Sequence, residues 1–242
     1  MTKVLEFIDV VAGYGRVPVL NKLSFSVEQG EVFGVIGPNG SGKTTMLNAL
    51  LGLIKPTGGR ILFDGTDVTR MSVYARCRLG LGRTFQIPKP FESMSVYENV
   101  LVAQVHGAGR PEQIGRGKAL EILKLTGLYD KREQHAGELT LLDRKRLEVA
   151  RALGTAPKLL LLDEVAAGLT DTEVRDIMHL VARLKHAGFT IIWIEHIIET
   201  MVRATDRLMC MAEGSNIICG DPQEVIASEA VETLYLGVEK HG

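Results

Sequence analysis

The sequence predicts an α/β fold with a mostly parallel core sheet, a small antiparallel β-subdomain and an inserted α-helical subdomain. Three observations predict it. Lys158-Leu159-Leu160-Leu161-Leu162 and Phe189-Thr190-Ile191-Ile192-Trp193-Ile194 are continuous apolar runs separated by a helical stretch over 171–186. Strands buried on both faces and joined through a helix make a parallel sheet. Glu31–Ile36, a glycine-rich turn and Thr44–Leu51 read as buried strand, loop and helix. Between these two regions, residues from about 95 to 154 carry helical spacing with start and stop signals.

Taken in order, residues 3–11 alternate well enough for a strand, which Gly13-Tyr14-Gly15 ends. Leu23–Val27 alternates again before a turn at Glu28-Gln29-Gly30. After the first helix, Lys55–Gly59 makes a turn and Arg60–Gly65 a hairpin-like strand. Leu79–Gln86 reads as a strand ending at a polar residue. Pro88 and Pro90 make 87–91 a loop, because each removes a backbone donor, and the loop is expected to expose Phe91 and Met94. Ser95-Val96-Tyr97-Glu98 has the pattern of a capping box opening a helix over Val96–Val105. Gly107-Ala108-Gly109 and Pro111 break it. Helices follow over Ile114–Leu125, stopped by Gly127, and over Arg144–Leu153, closed by Pro157. The Arg144-Lys145-Arg146 cluster reads as a solvated or structural helix face. Beyond Glu195-His196 come short strands at 207–211 and 216–219 and a helical tail from Pro222.

The bulk numbers bound the function. The 242 residues are 45% hydrophobic and 24% charged, ordinary for a globular protein. The net charge of −1 provides no basic field to gather nucleic acid. Cys77, Cys210 and Cys219 are scattered, which argues against a disulfide framework or a zinc site and suits a reducing cytosol. Met1–Asp9 carries acids where a leader needs an apolar core, and no apolar run approaches the roughly 20 residues of a membrane helix.

Gly37-Pro38-Asn39-Gly40-Ser41-Gly42-Lys43-Thr44-Thr45 fits G-x-x-x-x-G-K-[ST], the phosphate-cradling loop. A strand, a glycine-rich turn and a helix start aim backbone N–H groups at one point, and the helix N-terminus adds partial positive charge. Lys43 is expected to reach the β- and γ-phosphates and the Thr44 hydroxyl to ligate Mg²⁺. Asp163 and Glu164 end an apolar strand at the carboxyl edge of a parallel sheet, where such sheets bind ligands. Asp163 suits a hold on Mg²⁺, and Glu164 can polarise an attacking water. His196 ends the next strand and can donate to the γ-phosphate. Tyr14, 29 positions before Lys43, can stack on a base or serve as a core or turn tyrosine.

These residues give the chain its resemblance. It resembles the ATP-binding subunits of ABC transporters, and among them those of branched-chain (hydrophobic) amino-acid importers, over nearly its whole length. Gly37–Thr45 matches the Walker A loop, Leu159–Asp163 Walker B, Glu164 the catalytic glutamate and His196 the switch histidine. Gln86, in Arg83-Thr84-Phe85-Gln86, matches the Q-loop glutamine that touches Mg²⁺, and Tyr14 the adenine-stacking aromatic. Ala166–Thr170 matches the D-loop. The phrases GLIKPTGGRILFDG and DEVAAGLTDTE point to the importer subgroup.

The signature motif L-S-G-G-Q is replaced by Leu139-Thr140-Leu141-Leu142-Asp143. Thr140 keeps a hydroxyl for the γ-phosphate of a partner's ATP. Leu141 and Leu142 stand where the family has glycines, and Asp143 brings a carboxylate toward a polyphosphate. Such a charge about 4–6 Å away costs roughly a kcal/mol or more at a surface-like dielectric. Val165 replaces the usual proline, and Thr170 the usual D-loop aspartate.

The resemblance implies an ATPase that uses ATP and Mg²⁺ to energise uptake through separate integral-membrane permease subunits. It also implies a second ATP-binding subunit, copy or paralogue, a solute-binding protein met only indirectly, and a place in the cytoplasm on the inner face of the plasma membrane. One domain is expected, with residues 1–86 and 156–242 as nucleotide-binding core and 87–155 as the helical subdomain. Two other readings stay open. One is an ABC-type regulator with weak or no hydrolysis, motivated by Leu141-Leu142-Asp143. The other is a non-transport ABC ATPase, although no second nucleotide domain, coiled-coil insertion or basic surface is visible. A kinase or GTPase is set aside, since Asn21-Lys22 precedes the loop and lacks the aspartate of guanine recognition.

Overall fold

The computed structural model describes residues 2–15 and 17–236. The chain opens with β1 (Lys3–Tyr14), β2 (Val17–Glu28), β3 (Val32–Ile36), α1 (Lys43–Leu51), β4 (Gly58–Phe63) and β5 (Thr66–Asp67). Then come α2 (Val73–Leu79), β6 (Leu81–Arg83), α3 (Val96–Val102), a π-helical turn (Ala103–Gly107) and α4 (Glu112–Thr126). After α5 (Leu141–Gly154) follow β7 (Leu159–Asp163), α6 (Asp171–His186), β8 (Thr190–Ile194) and α7 (Ile198–Ala204). The last elements are β9 (Arg207–Ala212), β10 (Ser215–Gly220), α8 (Pro222–Ile226) and α9 (Glu229–Leu236). The expected tail beyond 236 lies outside the described residues. The chain divides into two units, Met1–Arg76 with Ile192–Gly242, and Cys77–Ile191.

In the first unit β2, β1, β4 and β5 form an antiparallel sheet in that order. The register sets Phe7 opposite Phe25 on one side and Ile61 on the other. Phe7, Phe25 and Phe33 stack with centroids 4.7 and 5.5 Å apart, fixing β3 against the sheet. The first strand was expected to break at Gly13-Tyr14; instead pairing continues through Gly13↔Pro18 and Tyr14↔Val17. A Cβ on Gly13 would lie 2.0 Å from the Val17 carbonyl oxygen, so the glycine admits the partner strand rather than ending the pairing. β3 pairs in parallel with β9, and β9 antiparallel with β10.

Two short helices, α2 and α7, escaped the sequence pattern. Arg76 of α2 shows why: it is a buried arginine in a seven-residue helix. Its guanidinium donates to the carbonyls of Ala49 and Leu50 at 2.6 and 2.5 Å, in the last turn of α1. It also donates to Thr69 and Met71 at 3.0 and 3.2 Å. A polar side chain thereby caps a helix end whose carbonyls have no partner within the helix. Burial pulls the Arg76 pKa down, and the charge of Asp67 opposes that pull.

In the second unit β6 and β7 run parallel, Leu81 beside Leu159 and Arg83 beside Leu161. The strand expected over Leu79–Gln86 is only three residues long. Leu79 closes α2, and after Thr84 N donates to Leu161 O (2.9 Å) the chain turns away before Pro88 and Pro90. The capping box forms as read. Ser95 Oγ accepts from Glu98 N at 3.1 Å, and Glu98 Oε2 from Ser95 N at 2.7 Å. Val96, Val100, Leu123, Leu128, Leu139 and Leu147 bury one core beneath α3, α4 and α5. α3 yields to the π-turn after Val102, earlier than expected. α4 starts at Glu112 on Pro111 and ends at Gly127 in the left-handed conformation. α5 begins three residues before the expected Arg144, because Thr140 Oγ1 accepts from Asp143 N at 3.3 Å and caps it.

Replacing Arg76 with alanine removes its donors from the Ala49 and Leu50 carbonyls, of which Ala49 O keeps Gly52 N at 3.2 Å, and is expected to cost about 1–3 kcal/mol of unfolding free energy. Urea denaturation measures this; an unchanged midpoint would contradict the assignment.

Candidate functional site

The phosphate loop lies in the first unit. Its backbone is held from beneath by the turn between β9 and β10, where Gly214 N donates to Ser41 O at 3.0 Å. Space there is so tight that a Cβ on Gly37 would lie 2.3 Å from the Met211 carbonyl oxygen, and one on Gly214 1.7 Å from that of Val19. α1 starts at Gly42 (φ 105°) with no side-chain cap and no acid in its first turn. Its positive end is therefore not neutralised by its own sequence. Gly37, Ser41, Gly42, Lys43 and Thr45 are buried, Pro38 is half-buried, and Asn39, Gly40 and Thr44 face solvent. Lys43 Nζ donates to Gly37 O at 2.7 Å and Pro38 O at 3.0 Å, which holds its charge inside the curl of the loop.

Burial pushes the Cys210 thiol up to about 11 against the pull of Lys43, so it stays neutral. Burial and Cys210 push the Tyr235 phenol up to about 12, against a hydrogen bond with the Gly37 backbone. Tyr14 ends β1, half exposed, and its hydroxyl accepts from Asn48 Nδ2 of α1 at 3.0 Å. That leaves an anchored ring at the surface. His196 is exposed just past β8, while Glu195 beside it is buried and accepts from Trp193 Nε1 at 3.3 Å.

The second unit carries the acids. Asp163 ends β7 and is buried; Arg83 Nη2 donates to its Oδ2 at 2.9 Å, and its N–H to Thr84 Oγ1 at 3.2 Å. Glu164 has φ 48°, a left-handed backbone that a glutamate adopts at a cost. Gln86 Nε2 donates to Glu164 Oε2. Lys145 of α5, buried, donates to Gln86 O at 2.7 Å and to Glu164 O at 3.1 Å. The structure thus brings Gln86, Asp163 and Glu164 together. Gln86 sits three residues beyond β6 rather than at its end.

Arg83, Thr84 and Lys145 are the residues the sequence reading missed. The first two lie in the Arg83-Thr84-Phe85-Gln86 phrase, where only Gln86 stood out. Lys145 stood in a basic cluster, and nothing local marks which of three cations turns inward.

Asp143 differs from its expectation. It is buried and bonded to Lys131, to Arg146 Nη1 at 3.3 Å and to the Thr140 hydroxyl at 3.1 Å. Its charge is compensated where it stands, not presented bare to an anion. Thr140 itself is exposed at the start of α5.

Each unit carries groups that suit part of a magnesium nucleotide. The uncapped helix start and glycine-lined loop suit a polyphosphate. Among the described residues no three acids, histidines or cysteines cluster as a metal cage. In the second unit the Asp163 carboxylate and the Gln86 amide oxygen are ligand types that suit Mg²⁺, which takes few protein ligands and completes its shell from phosphates and water. No helix of the described residues is long and apolar enough to cross a membrane.

Known proteins share this architecture. A family profile described as "ABC transporter" matches residues 20–167. A probable branched-chain amino acid transport ATP-binding protein LivG of Methanocaldococcus jannaschii is 34% identical, over 97% of this chain and 98% of that one. The high-affinity branched-chain amino acid transport ATP-binding protein BraF of Pseudomonas aeruginosa is 33% identical over 97% and 98%. Among solved structures, the ADP conformation of an ATP-binding cassette of an ABC transporter superposes with TM-score 0.89 and 31% identity, covering 98% and 100% of the two chains. With the loop, the acid pair and the sheet already in place, these matches assign the chain to the ABC transporter family, among its ATP-binding ATPase subunits.

Proposed function

We propose that this chain hydrolyses ATP to drive uptake of branched-chain or other hydrophobic amino acids through separate integral-membrane permease subunits. The observation that carries the nucleotide reading is the uncapped, acid-free start of α1 above a loop that only glycine can build. The amino-acid reading rests on the names of the relatives.

The roles follow from the motifs. Gly37 to Thr45, with Lys43 at the centre, hold the phosphates; Tyr14 stacks on the base. Thr44, Gln86 and Asp163 hold Mg²⁺, which when bound neutralises phosphate charge. Glu164 orients and polarises the attacking water, and His196 steadies the γ-phosphate. Lys145 positions both Gln86 and Glu164 through their backbone oxygens. The chain carries a single phosphate loop, so a second ATP-binding subunit completes the working pair, with Thr140 facing the partner's nucleotide. Neutralisation of Asp143 by Lys131 and Arg146 supports hydrolysis over a purely regulatory role.

The permease docks on the second unit. Phe85 and Phe91 are exposed and line a cavity of about 240 Å³ that α3, the π-turn and α5 also line, and Ile87 is exposed nearby in sequence. Arg83 and Arg151 lie over the rings of Phe85 and Phe91 at 5.2 and 5.1 Å. Aromatic rings backed by arginine are common interface anchors. On this reading the subunit works in the cytoplasm against the inner face of the plasma membrane, with the solute-binding protein beyond its reach.

Glu164→Gln is expected to lower steady-state ATP hydrolysis about 100-fold or more while MgATP binding is little changed. Hydrolysis at the wild-type rate would overturn the assignment. Lys145→Met should lower kcat about tenfold without weakening nucleotide binding, since it removes two hydrogen bonds that position the site rather than touch substrate. Phe91→Asp should abolish co-purification with the permease; full retention would move the docking surface elsewhere.

A further inference from the structure

The backbone at the end of β7 does not depend on the Arg83–Asp163 ion pair. β6 and β7 are in register as far as Arg83 beside Leu161. Just beyond, Thr84 N donates to Leu161 O at 2.9 Å, and Asp163 N donates to Thr84 Oγ1 at 3.2 Å. Thr84 has no exposed surface, so these bonds hold the strand end whatever the guanidinium does. The pair, Arg83 Nη2 to Asp163 Oδ2 at 2.9 Å, is an addition to a site already shaped. Its two side chains keep only 16% and 12% of their surface exposed, so the charges are weakly screened. A second cation brought to the same carboxylate is repelled by the first. Asp163 is also the acid assigned to Mg²⁺, so its arginine and the metal contend for one carboxylate.

A displaced arginine needs somewhere to go, and Arg83 has such a place. It lines the cavity of about 240 Å³ together with Phe85 and Phe91. Its guanidinium carbon lies 5.2 Å from the centre of the Phe85 ring, and that residue is 54% exposed. An aromatic face attracts a guanidinium without any anion present. Nε donates to Thr84 O at 3.2 Å, a bond that does not involve the acid. An Arg83 that lets go of Asp163 therefore keeps a ring and a carbonyl and gains water, rather than being left as a buried bare charge. Arg76 has no such freedom, because its donors are spent on four backbone carbonyls inside the first unit. We infer that Arg83 competes with Mg²⁺ for the Asp163 carboxylate and yields it by withdrawing into this cavity, so that the arginine weakens the hold on the metal. This rests on the reading of Asp163 as a Mg²⁺ ligand.

The test is calorimetric and needs no turnover. The affinity of the full chain for the non-hydrolysable analogue AMP-PNP is measured in excess Mg²⁺ and again in EDTA, and the ratio is the gain due to the metal. Arg83→Met, which removes the charge at similar length, is expected to raise that gain about tenfold over wild type. Arg83→Gln should move it in the same direction and carries the test if the methionine variant does not unfold cooperatively. Arg83→Lys keeps the charge and should stay within about threefold of wild type. An arginine that merely shaped the site would act with the opposite sign, its loss weakening the metal. An unchanged or smaller gain in the folded Arg83→Met or Arg83→Gln protein overturns the inference, and so does a lysine variant that behaves like methionine. Asp163→Asn separates the two failures: it should remove most of the gain, and a wild-type gain there overturns the Mg²⁺ reading of Asp163 and the competition with it.

Discussion

The chain between β3 and α1 passes so close to the β9–β10 hairpin that only a hydrogen fits at residue 37. Much of the first unit follows from that contact. The parallel pairing of β3 with β9 brings Met211 beneath the loop, and the hairpin turn locks Ser41 from the other side. With the backbone so placed, α1 begins on a left-handed glycine that has no side chain to cap it. Lys43 then turns inward, against the loop's own carbonyls. A buried cation beside a positive helix end is a costly arrangement that an anion relieves. Cys210 and Tyr235, both neutral and pushed further from ionisation, do not relieve it themselves.

The second unit solves a different problem, which is holding several carboxylates in place without letting them repel or wander. Arg83 takes the charge of Asp163, and Lys145 takes the backbone oxygen of Glu164, whose left-handed φ stores strain on the order of 1–3 kcal/mol. Because Lys145 also holds the Gln86 carbonyl, the segment bearing Gln86 and the end of β7 are tied to α5 by one side chain. The same helix starts on Thr140 and buries Asp143 among Lys131, Arg146 and the Thr140 hydroxyl. Its altered signature is therefore locally balanced.

Much of this was legible in the sequence where the signal is local. The phosphate loop, the apolar run into Asp163-Glu164 and the Ser95–Glu98 capping box depend on neighbours within a few residues. The helix over 171–186 also matched, because Thr170 and Glu173 cap it. What stayed hidden depends on distant partners. Lys131 lies twelve residues from Asp143, so a carboxylate expected to repel phosphate proves to be neutralised. Arg76 and Lys145 look like surface cations until their buried carbonyl partners are known. Gly13 reads as a strand breaker and turns out to admit the neighbouring strand.

The central claim is that the Gly37–Thr45 loop grips a magnesium nucleotide. Calorimetric titration of MgATP into the purified chain tests it most directly. One nucleotide should bind per chain, with binding lost on Lys43→Ala in a protein that still unfolds cooperatively. Absence of saturable binding to the wild-type chain at millimolar MgATP, or unaltered binding after the Lys43 change, would contradict it.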